Sequence, residues 1–331
     1  MSVRIAAIEV SHWHSLHDAA YLRILAAMPD VQLVGLHDPS PDVAAGRAAQ
    51  LGNPPVFTDY RDMLARTKPD FVVALGQHRR MAETAHHLLD HGVPFMMEKP
   101  MGVNATEVAG IAEKAAARQA FVAVPLPQRY SPFVARARRM QADNRFGPLS
   151  HVYLRLCRPT SARYPAWDSP WMLDPALAGG GCLRNLGSHL LDLFMLLTGE
   201  DAVVTGAQLS ARALGQQVED YASVLLRSSG GVLGTVELGN TVPDAGSDGE
   251  FKIAGRDATL VGYHDDTLRV ITPDGEEAIA DPPAQALYPT AVRDILDHWR
   301  RGIPPPVSVH DLLRVVRLID QAYAIAGRSR A

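Results

Sequence analysis

Lysine is scarce in this 331-residue chain: Lys68, Lys99, Lys114 and Lys252 are all there are, and arginine carries the rest of the positive charge. A lysine that ends a strand is therefore less incidental here than in a lysine-rich chain. Cysteine is limited to Cys157 and Cys182, which excludes a disulfide framework and a cysteine-rich zinc site. The net charge of −4 gives no electrostatic ground for nucleic acid or an anionic membrane as partner. No apolar run is long enough to cross a bilayer. Ser2-Val3-Arg4 leads directly into a strand-length run rather than a secretory leader, so a cytoplasmic protein is expected. Repeats, low-complexity tracts and charge blocks are absent. What remains is ordinary globular composition, 47% hydrophobic and 21% charged, in a chain long enough for two cores.

Apolar runs and helical periods alternate through the first part. Val3–Val10, Val31–Leu36, Phe71–Leu75, Val93–Met97 and Ala120–Val124 read as buried strands. Helices are expected at 18–28, 41–50, 60–66, 81–90 and 105–118, and this alternation predicts a doubly wound parallel sheet over residues 1–124. The pattern changes at Pro125-Leu126-Pro127. Residues 125–331 are expected to form a second domain for substrate binding and oligomerisation, with helices at 132–143, 182–198, 290–301 and 308–326. Successive strands from 202 to 270, after one at 150–157, predict an open-faced, largely antiparallel sheet.

Two stretches carry chemistry. The apolar run Val93-Pro94-Phe95-Met96-Met97 ends in Glu98-Lys99-Pro100, and ligands of open α/β sheets bind outside the carboxyl ends of the strands. Pro100 biases Lys99 away from helix, so the lysine is presented on a defined turn. The second stretch is Gly179-Gly180-Gly181 followed by Asn185 and His189, four residues apart on one face of an apolar helix. That polar pair reads either as a buried hydrogen-bonded pair or as a site, and Gly187 beside it allows a close approach.

The first turn lacks a glycine fingerprint. A dinucleotide fold calls for G-x-G-x-x-G after strand one, whereas Glu9, Ser11 and His14 stand at the three glycine places. Asp38, ending strand two, occupies the place of an acid that accepts from ribose hydroxyls. With no arginine in Pro39-Ser40, it favours NAD over NADP. His12, His14, His17 and Asp18 show no metal-ligand spacing with a fourth ligand, so no metal is expected, and contact with phosphate or nicotinamide is the preferred reading. Glu9 is expected either to turn away and pair with a neighbour such as a histidine, or to weaken dinucleotide binding.

Taken together, Glu98-Lys99-Pro100, Arg129-Tyr130 with Pro132, Gly147, the run Gly179–Asp192 and Leu197-Thr198-Gly199 resemble the glucose–fructose oxidoreductase / inositol dehydrogenase (Gfo/Idh/MocA) family. The resemblance implies an N-terminal Rossmann domain and a C-terminal α/β domain with an open-faced sheet, often used to form dimers or tetramers. It places Lys99 near nicotinamide and the substrate hydroxyl, and makes His189 the proton acceptor. Asn185 stands where the family often has Asp. The expected cofactor contacts are Ser11, His12, Trp13, Asp38, Gln77, His78 and Glu98; the expected substrate contacts are Lys99, Arg129, Trp167, Asn185 and His189. The implied activity is NAD-dependent oxidation of a sugar, polyol or glycoside hydroxyl. A redox-neutral lyase or hydrolase with retained NAD, and a non-catalytic sugar- or partner-binding protein, stay open at this point.

Overall fold

The computed structural model describes residues 2–243, 246–263, 267–279 and 286–328. The chain divides into two compact units. One comprises residues 1–125, 162–179 and 288–313, the other 126–161, 180–287 and 314–331.

The first unit is built on six parallel strands: β1 (Val3–Ile8), β2 (Val31–His37), β3 (Val56–Phe57), β4 (Phe71–Ala74), β5 (Phe95–Met97) and β6 (Val122–Ala123). Their spatial order is β3-β2-β1-β4-β5-β6. Every residue of β4 and β5 is buried, as expected of parallel strands covered on both faces. Helices connect them, Tyr21–Ala26, Pro41–Ala49, Tyr60–Thr67, His78–Asp90 and Ala105–Ala117. The chain order reverses between β1 and β4, which fixes the switch point at their carboxyl ends. A late segment completes this unit: Val292, Ile295 and Leu296 pack with Ile5, Phe71, Val73 and Met96.

The helix expected at 18–28 is shorter, because Asp18 and Ala20 have positive φ (50° and 48°), a backbone state no right-handed helix can include. A 3-10 turn at Trp13–Ser15 precedes it. The helix expected from Met81 begins three residues earlier, at His78.

In the second unit β7 (Leu149–Pro159), β8 (Ala202–Ser210), β9 (Tyr221–Ser228), β10 (Leu233–Val242), β11 (Asp248–Gly255), β12 (Thr259–Tyr263), β13 (Leu268–Thr272) and β14 (Gly275–Ile279) form one sheet. Its order is β14-β13-β12-β11-β7-β10-β9-β8. Among the described residues of this sheet, only the β7–β10 pairing is parallel. Alternation is clear on β9, where Ala222, Val224 and Leu226 enter the core with Leu190 and Phe194 of the helix Cys182–Thr198. The opposite face leaves Val203, Leu225 and Leu233 about half exposed. No helix of the described residues is long and apolar enough to cross a membrane.

Candidate active site

In the first unit the turn after β1 keeps a glycine-like backbone without glycine. Glu9 has φ +55°, and its carboxylate accepts the N–H of Gln77 at 2.9 Å while pairing with Arg80 at 3.1 Å. Gln77 follows β4, so Glu9 spans the two strand ends on either side of the switch point. Its carboxylate is thus held by an arginine and a backbone amide, while its backbone N–H donates to His37 Nδ1 at 3.3 Å. Burial raises the Glu9 carboxyl above its ordinary range, against the opposing effects of Gln77 and Arg80.

Asp38 is buried, accepting the N–H of Ser11 at 2.7 Å and that of Ser40 at 3.1 Å. It therefore holds the first turn and the start of the helix Pro41–Ala49 together. Beside it lies a cleft of about 320 Å³ lined by residues that include His37, Pro39, Thr58, Tyr60, Arg61 and Arg80. Arg61 is paired with Glu83, as Arg80 is with Glu9.

Lys99 is 1% exposed at the end of β5. Its Nζ lies 3.9 Å from Glu98 Oε2 and 5.9 Å from the centre of the Trp13 ring. Burial lowers the Lys99 ammonium from the usual lysine range, with Glu98 and Asp18 acting the other way. Burial would raise the Glu98 carboxyl, yet His14, together with Lys99, holds it well below the carboxylate range. The Glu98 carboxylate also accepts from Tyr21 Oη.

Trp13 stacks on His12 and meets Tyr164 and Trp171 edge-on or tilted. The segment 162–179 belongs to this unit and is stitched to it. Arg47 pairs with Asp168 at 3.0 Å, Ser169 Oγ donates to the Ser11 carbonyl at 3.3 Å, and His78 Nδ1 donates to the Ala178 carbonyl at 2.8 Å. Trp167 stacks on His17 with ring centres 5.3 Å apart. Ser11, His12, Trp13, Asp38, Gln77, His78, Glu98, Lys99 and Trp167 are all in this unit.

A nitrogen each of His12 and His14 and an oxygen of Glu98 lie within 4.8 Å of one another. His12 Nδ1 accepts the N–H of His14 at 3.1 Å, which leaves the proton of the neutral ring on Nε2. His14 Nδ1 faces Glu98 Oε1 at 3.0 Å. Despite that distance, His14 Nδ1 makes no hydrogen bond among the described residues. Burial pushes the His12 imidazole well below the usual histidine range, reinforced by His14. His12 Nε2 and Glu98 Oε2 have no hydrogen-bond partner among the described residues. They are a buried donor and a buried acceptor in one cluster.

Arg129, Asn185 and His189 lie in the second unit. The helix Cys182–Thr198 starts from a cap that sequence reasoning missed. Glu219 Oε1 accepts the N–H of Gly181 at 2.8 Å, that of Leu183 at 3.0 Å and the hydroxyl of Tyr323 at 2.7 Å. A Cβ at Gly181 would stand 2.1 Å from the Glu219 carbonyl oxygen, and Gly180 has φ +146°, so the glycines answer to this packing. Asn185 and His189 are buried, one helical turn apart. The space beside Gly187 is taken by Ile319, a helix–helix contact. Arg129 forms a forked pair with Asp192, Nε to Oδ2 at 2.7 Å, which ties the 3-10 turn Pro127–Tyr130 to the same helix.

Two family models match this chain. Residues 12–125 match the model of the oxidoreductase family with NAD-binding Rossmann fold, and residues 134–261 match the GFO/IDH/MocA C-terminal domain. The chain is 29% identical to trans-1,2-dihydrobenzene-1,2-diol dehydrogenase of Sus scrofa, over 60% of this chain and 59% of that one. It is 26% identical to the rhizopine catabolism protein MocA of Rhizobium meliloti, over 67% and 68%. The matched part is thus less than two thirds of the porcine enzyme's length. Among solved structures, an oxidoreductase from Agrobacterium radiobacter in complex with NAD+, L-tartaric acid and magnesium superimposes with a TM-score of 0.86. It is 16% identical, over 100% of this chain and 98% of that one, a likeness of fold.

Proposed function

We propose that this chain, which belongs to the GFO/IDH/MocA family of oxidoreductases, is an NAD-dependent dehydrogenase. Its substrate is a secondary hydroxyl of a sugar, polyol or glycoside, or the matching ketone in reverse, and it acts in the cytoplasm as a homodimer or homotetramer. The observation that carries this reading is Lys99, fully buried beside a carboxylate at a strand end next to the switch point.

The first unit suits the cofactor. The cleft beside Asp38 accommodates an adenosine, and Asp38 disfavours a 2′-phosphate by charge. The buried donor on His12 and acceptor on Glu98 match a group that presents an acceptor and a donor together, as a carboxamide or a hydroxyl does. When bound, NAD accepts the hydride from the carbinol carbon.

The chain supplies the rest. Lys99 donates to the substrate oxygen and stabilises the developing alkoxide in a site with little water. His189 takes the hydroxyl proton, and Asn185 orients the imidazole without the negative charge an aspartate would add. Trp167 offers its ring to the apolar face of the substrate. Arg129 contributes mainly by holding the His189 helix through Asp192.

A screen of sugars, polyols and glycosides with both nicotinamide cofactors, followed by NADH absorbance, tests the proposal. Reduction of NAD with at least one substrate, lost in Lys99→Met, is the expected result. No turnover combined with no NAD binding in a thermal-shift assay would sink it.

A further inference from the structure

We propose that Tyr21 and His14 are positioning residues for Lys99, acting on it through Glu98. The inference rests on the reading that Lys99 works at the substrate hydroxyl, and adds two residues of this chain to that machinery.

Backbone register fixes Glu98 first: its N–H donates to the Ala74 carbonyl at 3.0 Å, so it remains tied to β4. Its side chain is then held asymmetrically. Tyr21 Oη donates to Oε1, and His14 Nδ1 lies 3.0 Å from the same oxygen. Tyr21, His14, Glu98 and Lys99 are each less than 5% exposed, so water does not compete for these bonds. Oε2 has no hydrogen-bond partner among the described residues and stands 3.9 Å from Lys99 Nζ.

That distance decides the interpretation. An ammonium–carboxylate hydrogen bond is about 2.7–2.9 Å long. The Glu98–Lys99 pair falls outside that range while remaining in strong Coulombic contact. A carboxylate released from Oε1 would turn toward the ammonium and close the gap. The Tyr21 hydroxyl bonded to the far oxygen, with the His14 ring packed beside it, holds it back. The carboxylate thus balances the buried charge of Lys99 without fastening Nζ to itself. Charged groups that also act on Lys99 include Asp18, from the loop before the helix Tyr21–Ala26, and Arg163, from the segment 162–179. His12, in the first turn, interacts with Lys99 as well.

The test needs neither cofactor nor substrate. The full chain, labelled with 13C at lysine Cε, gives signals from Lys68, Lys99, Lys114 and Lys252 alone, and Lys99→Met identifies the relevant one. Glu98→Gln is expected to lower the Lys99 midpoint by about one pH unit. Tyr21→Phe and His14→Gln are each expected to raise it by roughly half a unit, as the carboxylate closes on the ammonium. A midpoint unmoved or lowered in both of these variants overturns the proposal. Should Tyr21→Phe fail to fold, His14→Gln decides alone. With a substrate in hand, both variants are expected to lower kcat about tenfold and leave KM for NAD nearly unchanged, and an unchanged kcat would overturn the proposal. If no substrate turns over at all, the dehydrogenase reading is at fault, and the lysine titration still reports on the positioning.

Discussion

The carboxylate of Glu9 accepts the backbone N–H of Gln77 across the point where the strand order reverses. A non-glycine residue at φ +55° is disfavoured, and this bond together with Arg80 holds it there. Because burial raises the Glu9 pKa, the folded state binds a proton more readily than the unfolded chain. The associated stability is fully present below the ordinary carboxylate value and is lost as pH rises through the raised one. Melting curves of wild type and Glu9→Gln across the acid range should differ by that fall, with the variant lacking it. Parallel profiles would remove Glu9 as the source.

Asp38 bonds two backbone amides, so replacing it has two separable effects. Asp38→Ala is expected to cost about 1–3 kcal/mol for each amide left buried without a partner. It is also expected to narrow the preference for NADH over NADPH by about tenfold, because a like charge no longer faces the 2′-phosphate. Parallel fluorescence titrations with the two reduced cofactors measure the second effect. Equal affinities in the wild type would show that Asp38 does not select the cofactor.

Lys99→Met and His189→Ala should each lower kcat by about 10²–10⁴, the range expected for loss of a proton-transfer or charge-stabilising group. NADH affinity should stay within a few fold in both. Stopped-flow binding with steady-state rates separates the two quantities.

Gly181→Ala should lower stability by about 1–3 kcal/mol or more, since the added methyl meets a backbone oxygen that cannot yield without moving the strand end. Glu219→Gln, which keeps the shape and weakens the cap on the His189 helix, should cost less. Denaturant midpoints rank the two. The reverse order would mean that Glu219, not the tight packing, dominates.

Leu225→Lys places a charge on the half-exposed apolar face of the second sheet. It should dissociate the oligomer without unfolding the chain, as light scattering and circular dichroism together would show. A wild-type chain already monomeric at micromolar concentration would remove the oligomer from the proposal.

What the sequence revealed follows physical locality. Buried parallel strands are continuous apolar runs, so β4 and β5 stood out, and Glu98-Lys99-Pro100 marked the end of β5. The helix Cys182–Thr198 was legible to the residue, because glycines bound it at both ends. The two-residue β3 is too short to show any period. The first helix was overestimated because left-handed states at Asp18 and Ala20 have no compositional mark. Least legible was the return of 162–179 to the first unit. Its bonds join residues 121 and 158 positions apart, Arg47 with Asp168 and Ser11 with Ser169, and an aperiodic run of Trp, Tyr and Pro does not announce such partners. Tyr21 was hidden in the same way: its helix was expected, but its reach to Glu98, 77 residues on, belongs to tertiary structure.

The core of the first sheet includes Val292, Ile295 and Leu296, and Val124 bonds the carbonyl of Val307. A ribosome releases the chain from one end, so these covering residues emerge only after the whole second sheet has been made. Until then the nascent first unit carries an open apolar face over Ile5, Phe71 and Val73, a surface that chaperones hold and that other nascent chains can stick to. Cutting the chain after residue 125 would therefore not yield a free-standing nucleotide domain, but an unfinished one whose missing wall is made only after the second sheet.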